Sequence, residues 1–193
     1  MQQLTPQKQP KIDLDHFLDY CVTNPNAQII YRASDMQLTI DSDAGYLNAA
    51  KSRSRAGGYH FLGNKDGTLF NSAIHILVKV IKAVMASAAE AEVGLLFLSA
   101  QDTIPLIITL EELGHKQDAI PLKTDNSTAD GILNKSIKRK RSKAFDMRFH
   151  WLCDRVEQGQ FRVFWAPGKL SLGDYFTKRH PESHHKNMRY IYL

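Results

Sequence analysis

The chain has 193 residues, 43% hydrophobic and 23% charged, a balance that allows one compact domain with a real core plus a modest extension. Its net charge of +5 and pI of about 9.2 lean toward polyanionic partners without singling them out. Two cysteines far apart, Cys21 and Cys153, exclude a disulfide framework and a paired-cysteine zinc motif, and they fit an intracellular, reducing setting. The amino terminus lacks the apolar core of a signal peptide. The longest apolar runs are broken by Lys79 and Lys82, or by Gln101, Asp102 and Pro105. None reaches the roughly 20 apolar residues of a membrane-spanning helix, so a soluble protein with no membrane partner is expected.

In chain order, residues 1–11 are rich in Gln, Pro and Lys and are expected to be frayed or extended. Leu14, Phe17, Leu18 and Cys21 stand at helical spacing, which predicts a helix over residues 12–23 stopped by Asn24-Pro25-Asn26. Three strands should follow. The first is Gln37-Leu38-Thr39-Ile40 leading into Asp41-Ser42-Asp43. The second covers residues 55–62 after a turn at 51–55, and the third lies within residues 70–84. Ser87 stands three before Glu90, the spacing of a capping box, and opens a helix over residues 87–100. A separate helix over residues 103–113 is expected, with Pro105 in its first turn and Gly114 as its stop.

Residues 119–124 read as a strand and 127–133 as a short helix. A basic run follows: Lys135, Lys138, Arg139, Lys140, Arg141 and Lys143. Phe145, Phe149, Leu152 and Val156 stripe a longer helix that Gly159 ends. Phe161, Val163 and Trp165 alternate as one face of a last strand. Pro167-Gly168 turns the chain, a final helix begins near Ser171, and residues 181–193 are expected to be a polar tail.

This order predicts an α/β fold, a mixed five-stranded sheet flanked by helices. Four acidic residues then fall at strand ends and helix starts: Asp43, Glu92, Asp125 and Asp174. Oxygen donors of this kind suit magnesium, and two such ions roughly 3.5–4 Å apart suit phosphodiester hydrolysis. The residues alone leave Asp41 beside Asp43, and Glu90 beside Glu92, as competing choices. Each of the acids also has a plainer use, as a turn, a helix cap or a capping pair.

Six segments occur together in one order: Ser42-Asp43-Ala44, Arg53-Ser54-Arg55-Ala56-Gly57-Gly58, Ser87-Ala88-Ala89-Glu90-Ala91-Glu92, Thr124-Asp125-Asn126, Asp146-Met147-Arg148-Phe149-His150 and Gly173-Asp174-Tyr175-Phe176-Thr177-Lys178. In this the chain resembles the ribonuclease H region of copia-type long-terminal-repeat retrotransposons, over roughly residues 28–178. The resemblance implies a ribonuclease H-like domain at residues 28–180, behind an extension (residues 1–27) resembling the end of the reverse-transcriptase region. It implies a hybrid endonuclease that cuts RNA paired to DNA, using two Mg2+ ions, with Mn2+ as a substitute, held by Asp43, Glu92, Asp125 and Asp174. It implies an upstream reverse-transcriptase partner and an intracellular site, a cytoplasmic virus-like particle or the nucleus. An inactive nucleic-acid-binding relic is the competing expectation.

Two departures from the pattern bear on that choice. Gly173 stands where the family usually has alanine, and a glycine there is expected to loosen the helix start by ~1 kcal/mol. The segment Ala166-Pro167-Gly168-Lys169-Leu170 lacks the loop histidine usual in cellular ribonucleases H, leaving Lys169 as a candidate aid to product release. Asp146 and His150, four apart, read as a structural pair. The basic run at 135–143 reads as a surface for hybrid phosphates, an import signal or a solvated face. His180, His184 and His185 read as part of a polar tail rather than a zinc site.

Overall fold

The computed structural model describes residues 8–135 and 147–193. Five strands form one sheet in the order β3-β2-β1-β4-β5: β1 (Gln37–Ala49), β2 (Arg53–Gly63), β3 (Ala73–Val80), β4 (Ile120–Thr124) and β5 (Phe161–Trp165). β1, β2 and β3 are antiparallel neighbours, whereas β4 runs parallel to both β1 and β5. The mixed sheet is as the sequence predicts. β1 and β2 run on to a tight turn, where Lys51 and Ser52 both take positive φ (60° and 52°). Asp43 therefore lies inside a strand, paired with Gly57, rather than after its end.

Helix α1 (Lys8–Thr23) precedes the sheet, starting earlier than predicted. Its side chains from Pro10 onward are exposed or nearly so, including Leu14, Phe17, Leu18 and Val22. Between β3 and β4 stands one helix, α2 (Ala88–Glu112), where the sequence predicts two. Pro105 lies inside it. The helix runs unbroken through that point, and two residues before the proline the Thr103 hydroxyl donates to the Ser99 carbonyl at 2.7 Å. Burial of Ser99, Ala100 and Thr103 outweighs the backbone hydrogen bond that proline cannot make. Among the described residues α2 is the one helix long and apolar enough to cross a membrane. Its apolarity has a local cause, since Val93, Leu96 and Ala100 belong to the core.

That core joins α2 to Leu38 and Ile40 of β1, Ile120 and Leu122 of β4, and Phe161 and Val163 of β5. Helices α3 (Ser127–Leu133) and α4 (Met147–Glu157) close it with Ala129, Leu133, Phe149 and Leu152. Alternation along β1 sends Asp41 and Asp43 to the opposite face. There the chain's last elements lie, a short α5 (Asp174–Thr177) and α6 (Glu182–Tyr192). The stretch expected to be a polar tail is thus helical. Tyr192 supplies the reason, with its ring 5.5 Å from both Tyr59 and Phe176 and its hydroxyl donating to the Leu172 carbonyl at 2.8 Å.

Two glycines permit α5 to approach. A Cβ on Gly57 would stand 2.5 Å from the Gly173 carbonyl oxygen, and one on Gly173 would stand 2.6 Å from the Asp43 nitrogen. Gly173 has ordinary helical angles (φ −65°, ψ −32°), so it is space rather than backbone freedom that calls for glycine. This corrects the expectation of a loosened helix start. Gly173→Ala should destabilise the fold by about 1–3 kcal/mol, read as a lowered urea midpoint, because the atoms it meets are backbone.

Candidate active site

The four acids predicted from the sequence reach one end of the sheet from four elements. Asp43 comes from mid-β1 and Glu92 from the second turn of α2. Asp125 directly follows β4, and Asp174 is the first residue of α5. Asp43 and Glu92 are buried, Asp174 is half-buried and Asp125 is exposed. Each buried carboxylate is oriented by a threonine. Thr177 Oγ1 donates to Asp43 Oδ2 at 2.6 Å, and Thr124 Oγ1 donates to Glu92 Oε1 at 2.7 Å. The Ala44 amide donates to Glu92 Oε2 at 3.1 Å.

The electrostatics show that these groups share one neighbourhood. Burial pushes the Asp43 carboxyl up to about 6, helped by the negative charges of Asp174 and Asp125 and opposed by the Thr177 hydrogen bond and Lys178. Burial pushes Glu92 up to about 8, against the Thr124 hydrogen bond and with added repulsion from Asp43 and Asp125. The side chains do not form a ready ligand cage. Among the described residues no three His, Cys, Asp or Glu side chains stand grouped to hold an ion. Asp174 is instead engaged by Lys178 in an i,i+4 ion pair. The donor chemistry nevertheless fits a hard divalent cation: every donor is an oxygen, and two acids are buried within each other's repulsion.

The two ambiguous choices separate. Glu90 reaches back to the Ala86 amide at 2.6 Å while Ser87 accepts from the Glu90 amide, so Glu90 is committed to capping α2. Asp41 is bound to Lys123 at 2.7 Å. Sequence reasoning missed Lys123 and Tyr192 as neighbours of the site, while Thr124, Thr177 and Lys178 were visible only as letters of motifs. Gly168 also matters, because a Cβ there would meet Asp125 Oδ2 at 2.4 Å. Lys169 next to it is exposed or nearly so.

His180, His184 and His185 gather around Tyr175, not around a ligand position. The His180 ring stacks on Tyr175 at 5.4 Å and His185 Nδ1 meets its hydroxyl at 2.7 Å. In the basic run, Lys135 pairs with Glu157, whereas Lys138, Arg139, Lys140, Arg141 and Lys143 lie outside the described residues. Asp146 lies outside them too; His150 is exposed on α4, its ring beside Phe149.

No protein-family model matches the chain. It is 26% identical over 155 residues to the retrovirus-related Pol polyprotein from transposon TNT 1-94 of Nicotiana tabacum, a match over 80% of this chain and 11% of the relative. The chain thus spans only a small part of that protein's length. Among solved structures, LC11-RNase H1 isolated from compost by a metagenomic approach superposes with TM-score 0.51 at 14% identity, over 69% of this chain and 86% of that one. The same enzyme in complex with RNA/DNA hybrid gives TM-score 0.53 at 14% identity, over 72% and 93%. The fold is thus ribonuclease H-like, and over 80% of its length the chain is similar in sequence to part of a retrotransposon Pol polyprotein.

Proposed function

We propose that the chain is an endonuclease cutting the RNA strand of RNA–DNA hybrids, within the reverse transcription of a copia-type element. One observation carries the reading: Asp43, Glu92, Asp125 and Asp174 come from four separate elements to one sheet end, close enough that Asp125 raises both buried acids. The solved relative in complex with RNA/DNA hybrid supports the substrate class. Two divalent cations, Mg2+ or Mn2+, held by these four carboxylates would supply the charge that steadies the attacked phosphate and the leaving oxygen.

The chain's own residues do the positioning. Thr177 and Thr124 fix the rotamers of Asp43 and Glu92, and the Ala44 amide fixes the second oxygen of Glu92. Lys178 neutralises Asp174 and would have to release it for that carboxylate to hold a cation. The 2′-hydroxyl marks the RNA strand. Purified chain with Mg2+ should cut the RNA of an end-labelled hybrid and spare duplex DNA. No cleavage with either Mg2+ or Mn2+ would count against the reading.

The basic run at 135–143 is proposed to hold hybrid phosphates. Replacing Lys138, Arg139, Lys140 and Arg141 with alanine should flatten the salt dependence of hybrid affinity by about 0.9 in log–log slope for each phosphate no longer neutralised. Fluorescence anisotropy across a salt series reads this directly, and an unchanged slope would assign the run another role, such as nuclear import. The exposed apolar side chains of α1 support docking against an upstream reverse-transcriptase region.

One observation favours a second reading, a binding relic without catalysis: Lys178 already occupies Asp174. Hybrid binding that survives Asp125→Asn, with an inactive parent, would select it.

A further inference from the structure

We propose that Asp41, Lys123 and Tyr192 form a clamp that fixes the Ser171–Leu172 segment and thereby sets the position of Asp174. Its consequence for catalysis rests on the nuclease reading above; the clamp itself does not.

The pair begins in the sheet. Asp41 and Lys123 are register partners on the parallel strands β1 and β4, each two residues before a candidate ligand, Asp43 and Asp125. Lys123 Nζ donates to Asp41 Oδ2 at 2.7 Å, with side-chain exposures of 14% and 6%. The other oxygen, Oδ1, accepts from Ser171 Oγ at 3.2 Å. Asp41 thus ties together the strand that leads to Asp125 and the loop that leads to Asp174.

From the other end of the chain, Tyr192 donates to the Leu172 carbonyl at 2.8 Å. Its ring is wedged among Tyr59, Tyr175 and Phe176 at 5.5, 4.7 and 5.5 Å. The Ser171–Leu172 segment is therefore held through the Ser171 hydroxyl and the Leu172 carbonyl, the latter two residues before Asp174.

This arrangement differs from ordinary fold support. A buried ion pair is weak evidence for stability, because desolvation offsets its attraction. Its gain here is directional: one charged acceptor holds the Ser171 hydroxyl of the loop and the Lys123 ammonium of β4 at once. One Asp41 oxygen is held in an ion pair by Lys123 and the other accepts from Ser171, so Asp41 acts through the elements it joins as a positioning residue. Asp174 stands at the start of a helix of only four residues, so the loop before it bears on its position.

The test uses the full chain with Tyr192→Phe, Asp41→Asn and the double variant Asp41→Asn/Lys123→Met. Tyr192→Phe keeps the ring and removes one hydroxyl, so it should fold. Amide hydrogen exchange over residues 171–177 is measured first, without metal. Protection at that segment should fall by about tenfold, the size of one hydrogen bond, while the amides of β1 and β4 hold theirs. Calorimetric titration with Mn2+ alone and hybrid cleavage follow. Mn2+ affinity and kcat should each drop by about 3- to 10-fold with KM unchanged. Variants with unchanged exchange at 171–177 overturn the clamp whether or not the parent cuts hybrid. Raised exchange in variants of a parent that neither binds Mn2+ nor cleaves supports the clamp and rejects the nuclease reading. Raised exchange with Mn2+ affinity and kcat at the parent's level would sink its role in setting Asp174.

Discussion

A Glu92→Gln protein should lose hybrid cleavage by about 10³-fold or more while becoming more stable than the parent at pH 8. The two effects have one origin. Glu92 is buried beside Asp43, with Thr124 and the Ala44 amide as its hydrogen-bond donors. Its carboxyl, ordinarily near 4.5, is raised to about 8 in the folded chain. The folded state therefore holds the proton more tightly than the unfolded state. Stability from this group is complete below about pH 4.5 and falls away as pH climbs toward 8, by an amount on the order of a few kcal/mol. Asp43, raised from 3.8 to about 6, adds a smaller loss with the same sign between those values.

His60 opposes them at the acid end. It is fully buried and lowered to about 4, so stability is lost as pH falls from 6.5 toward 4. Urea unfolding of metal-free protein across the range from about pH 5 to about pH 8 separates these contributions. The parent should weaken on the alkaline side and Glu92→Gln should flatten that limb. A glutamine variant that cuts hybrid at the parent's rate, or unfolds more readily at pH 8, would remove Glu92 from the site.

Divalent cation should stabilise the chain strongly at about pH 8 and little at about pH 5. At about 100 times its Kd a ligand adds ~2.7 kcal/mol, which for a chain of this size raises Tm by roughly 5–10 °C. At the lower pH the ligand groups hold protons, and the cation must displace them, so the gain shrinks. Differential scanning calorimetry with about 10 mM MgCl2 and with EDTA reads both, the concentration being of the order that weak carboxylate sites require. Asp125→Asn should remove most of the gain, since Asp125 adds to the repulsion on both buried acids. Equal Tm with Mg2+ and EDTA on the alkaline side would dismiss the cation site.

Much of the architecture is readable because it follows from local pattern. Alternation marks β5, a capping box marks the start of α2, and turn residues separate the strands. The misses share a cause. Pro105 reads as a helix start because a proline costs a backbone hydrogen bond; what keeps α2 whole is burial in the core, which no local rule reports. The closing helix reads as a tail because none of its residues is fully buried, and its docking depends on Tyr192 meeting the distant Tyr59. Gly173 reads as a weak helix former, whereas its reason is a backbone contact with β1.

By itself, the sequence determined the mixed sheet and narrowed the candidate acids to Asp41 or Asp43, Glu90 or Glu92, Asp125 and Asp174, since period, turn chemistry and motif order are properties of neighbouring residues. Only the tertiary structure sets Asp41 apart from Asp43 and Glu90 apart from Glu92, by giving them different partners. In each pair both residues carry the same chemistry, and the difference lies in which partner the fold brings to them: Lys123 to Asp41, Thr177 to Asp43, the Ala86 amide to Glu90 and Thr124 to Glu92. Such long-range pairing is set by packing, which a linear pattern does not encode.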